Sequence, residues 1–373
     1  MISQTASFSK PNDSMRGFMN RICLKCNVIS QDFNLWCQEK YCPAENATEI
    51  FNNGEWFGPI EIIQPIVILR SAIVYQARRE EELVLLKIAN LGCEDKLRQE
   101  AHAFLKLAKS GQHPLLPVLL PAHPQSSVTQ HPYGWTVIEG RIKYYSVFKF
   151  VEGEILRNYL YKNPQPWYQH SGWITMSIID VIYYLHKAGK IHLCLNPDVI
   201  FLRFDKQGIP RPLLLDLGVG DLNQDIHTTW TDGYNLPAYT APEILEPGKP
   251  VGVSADVYGI GLVLYEMLAG RPVYEYHLKK DEAVYRNVIS GEHKPSGRID
   301  LKGIPEIVEK AIQRLPQSRY SDVLAMATEL KPFFPPIPAE KKPRKMNWKM
   351  AFIVIGALLA ISLILMFVVT LVP

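Results

Sequence analysis

Apolar positions change period along the chain, and the change sets the order of the elements. Residues 60–68, 72–78 and 83–89 are short runs rich in β-branched and aliphatic side chains, which predicts three strands. From 94 to 109 the spacing turns helical, with Leu97, Ala101, Phe104 and Leu105 on one face. A proline-rich loop follows, then strand character returns over 142–151. Residues 173–186 are helical again, with Ile174, Ile178, Ile182 and Leu185 aligned. The stretch 255–269 is apolar almost throughout, and Asp256 and Glu266 are its only charges. It is too short to cross a bilayer, so it predicts a helix buried at the centre of a large domain. Short strands first and helices afterwards predict an α+β domain over 56–335.

The last apolar run is different. Residues 350–373 hold 24 residues without a charge. A helix of that length reaches roughly 36 Å, enough for a hydrocarbon core of about 30 Å. It reads as a transmembrane helix and C-terminal anchor. Lys341, Lys342, Arg344, Lys345 and Lys349 precede it, a local charge of +5 with no acid. The positive-inside rule then places residues 1–349 in the cytoplasm. Pro332, Pro335, Pro336, Pro338 and Pro343 rule out a continuous helix before the span. The segment 336–349 therefore reads as an extended linker. Residues 1–20, broken by Lys10, Asp13 and Arg16, carry no apolar signal run and read as a flexible N-terminus.

Composition narrows the classes. The 373 residues are 47% hydrophobic and 21% charged, enough to bury a core. The net charge is +3, so with +5 in the linker the remaining residues sum to −2. No global basic field argues for nucleic-acid binding. Four of the six cysteines lie close together: Cys23-x2-Cys26, ten residues, then Cys37-x4-Cys42. Two close pairs can fold four thiolates around one tetrahedral Zn²⁺. Four unrelated thiols or two disulfides are the plain alternatives, and a reducing cytoplasm argues against the disulfides. The spacing resembles a zinc ribbon over 21–48, in which structural zinc would supply the folding energy. Few basic residues surround it, which favours a protein partner over nucleic acid.

The order of further motifs resembles a eukaryotic-type serine/threonine protein kinase domain, covering roughly 56–335. Val84-Leu85-Leu86-Lys87 resembles the strand whose lysine grips ATP phosphates, and Glu100, thirteen residues on, its helical ion-pair partner. Phe150-Val151-Glu152-Gly153 resembles the hinge, and Ile191-His192 opens the catalytic loop. Leu215-Asp216-Leu217-Gly218 is similar to the Asp-Phe-Gly motif. Ala241-Pro242-Glu243 matches the end of the activation segment, 28 residues from Asp216 through Glu243. Asp256 and Arg319 fit the buried helical aspartate and the arginine that pairs with Glu243. The resemblance implies a two-lobed fold, β-rich then helical, with His192, Leu217 and Phe104 in an internal apolar spine.

The departures fall on the parts that do chemistry. Where a kinase reads His-Arg-Asp-x-Lys-x-x-Asn, this chain reads His192-Leu193-Cys194-Leu195-Asn196-Pro197-Asp198-Val199. Cys194 replaces the aspartate that accepts the substrate proton, Asn196 the lysine, and Val199 the second metal ligand. The glycine slots of the phosphate loop hold Val67, Leu69 and Ala72. Leu193 replaces the arginine that pairs with a phosphorylated loop, so Thr228, Thr229 and Thr231 have no obvious partner. Lys87, Glu100 and Asp216 could still hold a phosphate and one Mg²⁺, weakly; equally, Lys87 and Glu100 read as a structural ion pair. The expected protein is a membrane-anchored pseudokinase acting through an unknown protein partner. The alternatives are an active kinase with an atypical loop and a tethered adaptor that binds no nucleotide.

Overall fold

The computed structural model describes residues 20–30, 37–218, 220–222 and 234–340. The chain divides into two compact units, Met1–Pro336 and Ile337–Pro373, and nearly all described residues belong to the first. Three short strands open it: β1 (Asn20–Cys23), β2 (Ile29–Ser30) and β3 (Ala47–Ile50), antiparallel in the order β2-β1-β3. The larger sheet follows, from β4 (Trp56–Phe57), β5 (Ile60–Ile68), β6 (Ala72–Arg79) and β7 (Glu82–Ala89). Helix α1 (Glu94–Lys109) precedes β8 (Leu119–Leu120), β9 (Gly134–Ile138) and β10 (Arg141–Lys149). The sheet order is β4-β5-β6-β7-β10-β8, with β9 on β10.

Alternation along these strands decides which side chains reach the cleft. Ile73, Tyr75, Val84, Leu86 and Ile88 enter an outer apolar cluster. Val74 and Leu85 enter a second cluster that continues into the helical lobe. Lys87, two residues beyond Leu85, follows it to the inner face. On α1 the buried residues are Lys96, Leu97, Glu100, Ala101, Phe104 and Leu107. Leu105 is only half-buried, because Leu107, one turn beyond Phe104, falls nearer the centre of the packed stripe.

The cysteine-bearing strands are not a free-standing module. Ile22, Ile50 and Phe51 pack into the outer cluster beside Phe57, Ile60 and Tyr145. A segment too short to build a core borrows one from the sheet it covers.

The second lobe runs β11 (Glu154–Ile155), α2 (Leu156–Lys162), α3 (Tyr168–Lys187), β12 (Lys190–Ile191), β13 (Ile200–Phe204), β14 (Pro210–Leu214) and β15 (Gly220–Asp221). Then come α4 (Pro242–Leu245), α5 (Ser254–Ala269), α6 (Asp281–Ser290), α7 (Ile304–Ala311) and α8 (Val323–Leu330). Every residue of α5 from Ala255 to Leu268 is buried, as an apolar stretch lacking a polar face requires. Helices α3, α7 and α8 surround it. Gly172 on α3 admits the Phe334 ring, which a Cβ there would meet at 2.2 Å. The Trp173 indole donates to the Pro335 carbonyl at 3.0 Å, so the chain stays packed to the expected domain boundary.

Among the described residues no helix is long and apolar enough to cross a membrane. The expected span 350–373, the basic stretch 341–349, residues 1–19 and Thr228, Thr229 and Thr231 lie outside the described residues.

Candidate functional site

Four buried charges meet between the lobes. Lys87 Nζ lies 2.8 and 2.7 Å from the two Glu100 oxygens and 2.8 Å from Asp216 Oδ2. A second ammonium, Lys96 Nζ, lies 2.8 Å from Asp216 Oδ1 and 2.6 Å from Oδ2. Asp216 Oδ1 also accepts the Gly218 N–H at 2.7 Å, and Glu100 Oε1 the Leu217 N–H at 2.8 Å. Lys96 and Glu100 are one helical turn apart, so α1 delivers both to the same place. Burial alone would raise the Asp216 carboxyl, but Lys87 and Lys96 overcome it and hold it far below the usual carboxylate range. Glu100 is raised, by burial first and then by the Asp216 charge. Burial would lower the Lys96 ammonium, and Asp216 and Glu100 more than reverse that. Two cations and two anions leave the cluster neutral.

The catalytic-loop segment is held from below. Asp256 accepts the His192 and Leu193 N–H groups at 2.9 and 2.8 Å, and His186 Nε2 lies 2.7 Å away. This clamp holds Leu193 in the left-handed region at φ 61°, a strained conformation for a branched residue. His192 Nε2 lies 2.8 Å from the Asp216 carbonyl, tying the loop to the Asp216 strand end. Arg319 grips both Glu243 oxygens at 2.7 Å, which fastens the segment after Tyr239 to the large lobe.

What this loop presents to the cleft has little acid–base capacity. Cys194 is 2% exposed. Burial pushes its thiol far above the ordinary range despite the pull of Lys96. It stays S–H at neutral pH and takes no proton. The Asn196 amide is consumed locally: it donates to the Cys194 carbonyl and Asn235 Oδ1, and its oxygen accepts the Asp198 N–H. Val199 is buried and offers no donor atom. Asp198 turns to Arg157, 3.2 Å from its Nε.

The roof over this loop is pinned. Val67 pairs with Val74 and Ile68 with Ile73, and Leu69 N–H bonds the Ala72 carbonyl at 2.9 Å, closing a tight turn. The Asn90 amide donates to the Leu69 and Arg70 carbonyls at 3.0 and 2.8 Å. None of Val67, Leu69 and Ala72 takes a positive φ, so the backbone has no open phosphate cradle. Roof residues Val74 and Leu85 and floor residue Phe201 are 2%, 1% and 1% exposed and share one cluster. A small pocket of about 30 Å³ lies beside Asp216. A groove of about 870 Å³ lies farther out, along α2, bounded by Leu24, Lys25, Arg157, Tyr161 and Tyr276.

Magnesium does not fit this arrangement. Both Asp216 oxygens are engaged by ammonium groups, and the position that would give a second ligand is Val199. The cysteine cluster does fit a metal. Cys23 and Cys42 sulfurs are 3.7 Å apart and those of Cys26 and Cys37 3.2 Å. All four lie within 4.8 Å of one another. Four sulfurs at about 2.3 Å from a tetrahedral Zn²⁺ would stand about 3.8 Å apart.

The structure therefore brings Lys87, Glu100 and Asp216 together, and separately Cys23, Cys26, Cys37 and Cys42. Lys96 escaped the sequence reading. Its signal was a lysine four residues before Glu100, on the inward face of an amphipathic helix.

A family model described as "Protein kinase domain" matches residues 125–333. The serine/threonine-protein kinase PkaA of Streptomyces coelicolor is 29% identical over 186 residues, 50% of this chain and 33% of the relative. The probable serine/threonine-protein kinase PknB of Bifidobacterium longum is 28% identical over 196 residues, 50% of this chain and 27% of the relative. The matches thus span a third or less of these relatives. The crystal structure of a cysteine-to-alanine mutant of the Mycobacterium tuberculosis PknI kinase domain aligns with TM-score 0.50 at 18% identity. That alignment covers 76% of this chain and 99% of that one, a likeness in fold.

Proposed function

The chain belongs to the protein kinase domain family, and from that premise we propose that it is a pseudokinase that works by holding a protein partner. One observation carries the reading: the loop that should hold a base, a lysine and a metal-binding asparagine holds the buried thiol of Cys194, the locally bonded Asn196 and Val199. A lost base alone lowers rate by about 10²–10⁴-fold. Losing the neighbouring cation and metal ligand as well takes transfer to background. The closed β5–β6 turn, without glycines or positive φ at Val67, Leu69 and Ala72, further supports weak or absent ATP binding. In this reading Cys23, Cys26, Cys37 and Cys42 hold a structural zinc, and segment 350–373 anchors a cytoplasm-facing domain to the membrane.

The second reading, an active serine/threonine kinase with an atypical loop, draws on the Lys87–Glu100 pair at 2.7 Å and on the names of the relatives. A radiolabelled ATP assay separates the two. The purified chain is expected to incorporate no phosphate above background. Robust incorporation that disappears in Asp216→Ala would sink the pseudokinase reading; incorporation surviving that substitution would point to a contaminating kinase.

A further inference from the structure

We infer that Lys96 is a tethered cation standing in for the divalent ion at Asp216, and that its ammonium keeps metal out of the cleft. The inference deepens the pseudokinase reading at the same site. Three observations support it, and the first two do not involve the catalytic loop.

The first is geometry. Lys96 Nζ meets both Asp216 oxygens, at 2.8 and 2.6 Å, while Lys87 holds Oδ2 at 2.8 Å from the other side. A metal approaching either oxygen must displace an ammonium. The second is charge. Lys87, Lys96, Glu100 and Asp216 already sum to zero, and all four are buried. Adding a dication would leave two uncompensated positive charges among buried side chains, which is strongly unfavourable. The third is space. Mg²⁺ dehydrates reluctantly and usually keeps several waters, whereas the cavity beside Asp216 is about 30 Å³.

Lys96 is also poorly placed to leave. It is 5% exposed, and α1 is held at its base by Leu97, Ala101 and Phe104 in the core. Its helix also carries Glu100, which bonds Lys87 and the Leu217 N–H. The residue that excludes the ion and the residue that docks the helix are therefore coupled. Without Lys96 the cluster would carry one net negative charge, and Asp216 Oδ1 would keep only the Gly218 N–H. That is a cation site.

The test is Mn²⁺ titration of the full-length chain followed by electron paramagnetic resonance, which counts free ion and gives bound ion by difference. Wild type is expected to bind no Mn²⁺ that depends on Asp216. Lys96→Met, which keeps the stem and removes the charge, is expected to gain affinity about tenfold or more, as loss of a neighbouring unit charge implies. That gain should vanish when Asp216→Asn is added. Lys96→Gln repeats the measurement should the Met variant fold poorly, with thermal melting as the check. Asp216-dependent binding in wild type overturns the inference, and so do folded Lys96 variants that bind no more tightly than wild type. The wild-type arm needs only Asp216→Asn as its control, so it decides even where no Lys96 variant folds. Asp216-dependent binding without phosphotransfer would leave the proposed function standing. Phosphotransfer without such binding would do the reverse.

Discussion

At the scale of single residues, Gly218 decides how the charged cluster is assembled. Its φ is +73°, and a Cβ there would lie 1.8 Å from the His192 carbonyl oxygen. Its N–H also donates to Asp216 Oδ1 at 2.7 Å. Gly218→Ala must either relax the backbone and lose that bond or push the catalytic-loop segment away. Left-handed strain and overpacking contribute about 1–3 kcal/mol each. The expected loss is therefore about 3 kcal/mol in urea denaturation; a loss below about 0.5 kcal/mol would mean the turn is looser than described. The slots of Lys87, Glu100, Asp216, Cys194, Asn196 and Val199 were legible because ordered motifs number them. How Asn196 is used was not, since its amide bonds Asn235, 39 residues away. The two-sided grip on Asp216 was equally hidden, because it depends on how deeply α1 is docked.

Among the elements, the cysteine loop, the β5–β6 turn and helix α6 meet at one carboxylate. Asp281 receives Lys25 Nζ at 2.5 Å and Arg70 Nη1 at 2.6 Å, and its backbone N–H donates to Glu45 at 3.2 Å. Thr48 of β3 donates to Asn90, the residue whose amide pins the same turn. The cysteine-bearing strands are thus fastened to both lobes. Burial would raise the Asp281 carboxyl, but Arg70 and Lys25 hold it below its ordinary value. A depressed carboxyl contributes stability above its unfolded value near pH 3.9, about where an aspartate titrates freely. That contribution is lost as pH falls through the folded value. Protein purified under reductant is expected to hold close to one zinc per chain, unchanged by substituting Cys93 or Cys194. Stripping it should speed hydrogen exchange over 47–50 and 67–73 together. Absence of zinc would end the metal assignment; exchange rising only at 47–50 would show that the turn does not depend on the ribbon. Strands β5, β6, β7 and β10 and helix α1 were readable from local period to within a few residues, whereas the short β4, β8 and β9 were not. This junction was not, because Lys25 and Asp281 are 256 residues apart and neither carries a local signal.

For the whole molecule, apolar order yielded the α+β class, and the family resemblance yielded the two lobes. The family model begins at residue 125, past the strands of the β5–β7 sheet. Those strands still form the expected sheet, because alternating burial on two faces specifies it without glycines at the turn. The remaining expectation at this scale is topology. Moving Lys341, Lys342, Arg344, Lys345 and Lys349 across a bilayer would oppose the charge bias that orients membrane spans. Residues 350–373 should therefore span the membrane with the kinase-fold domain on the cytoplasmic side. Deleting 346–373 should release soluble protein. Protease added to intact cells should leave the domain whole, and permeabilised cells should lose it. Digestion in the intact preparation would reverse the orientation. Cys23, Cys26, Cys37 and Cys42 would then face an oxidising compartment and become candidates for two disulfides, because the redox argument for zinc depends on the same placement.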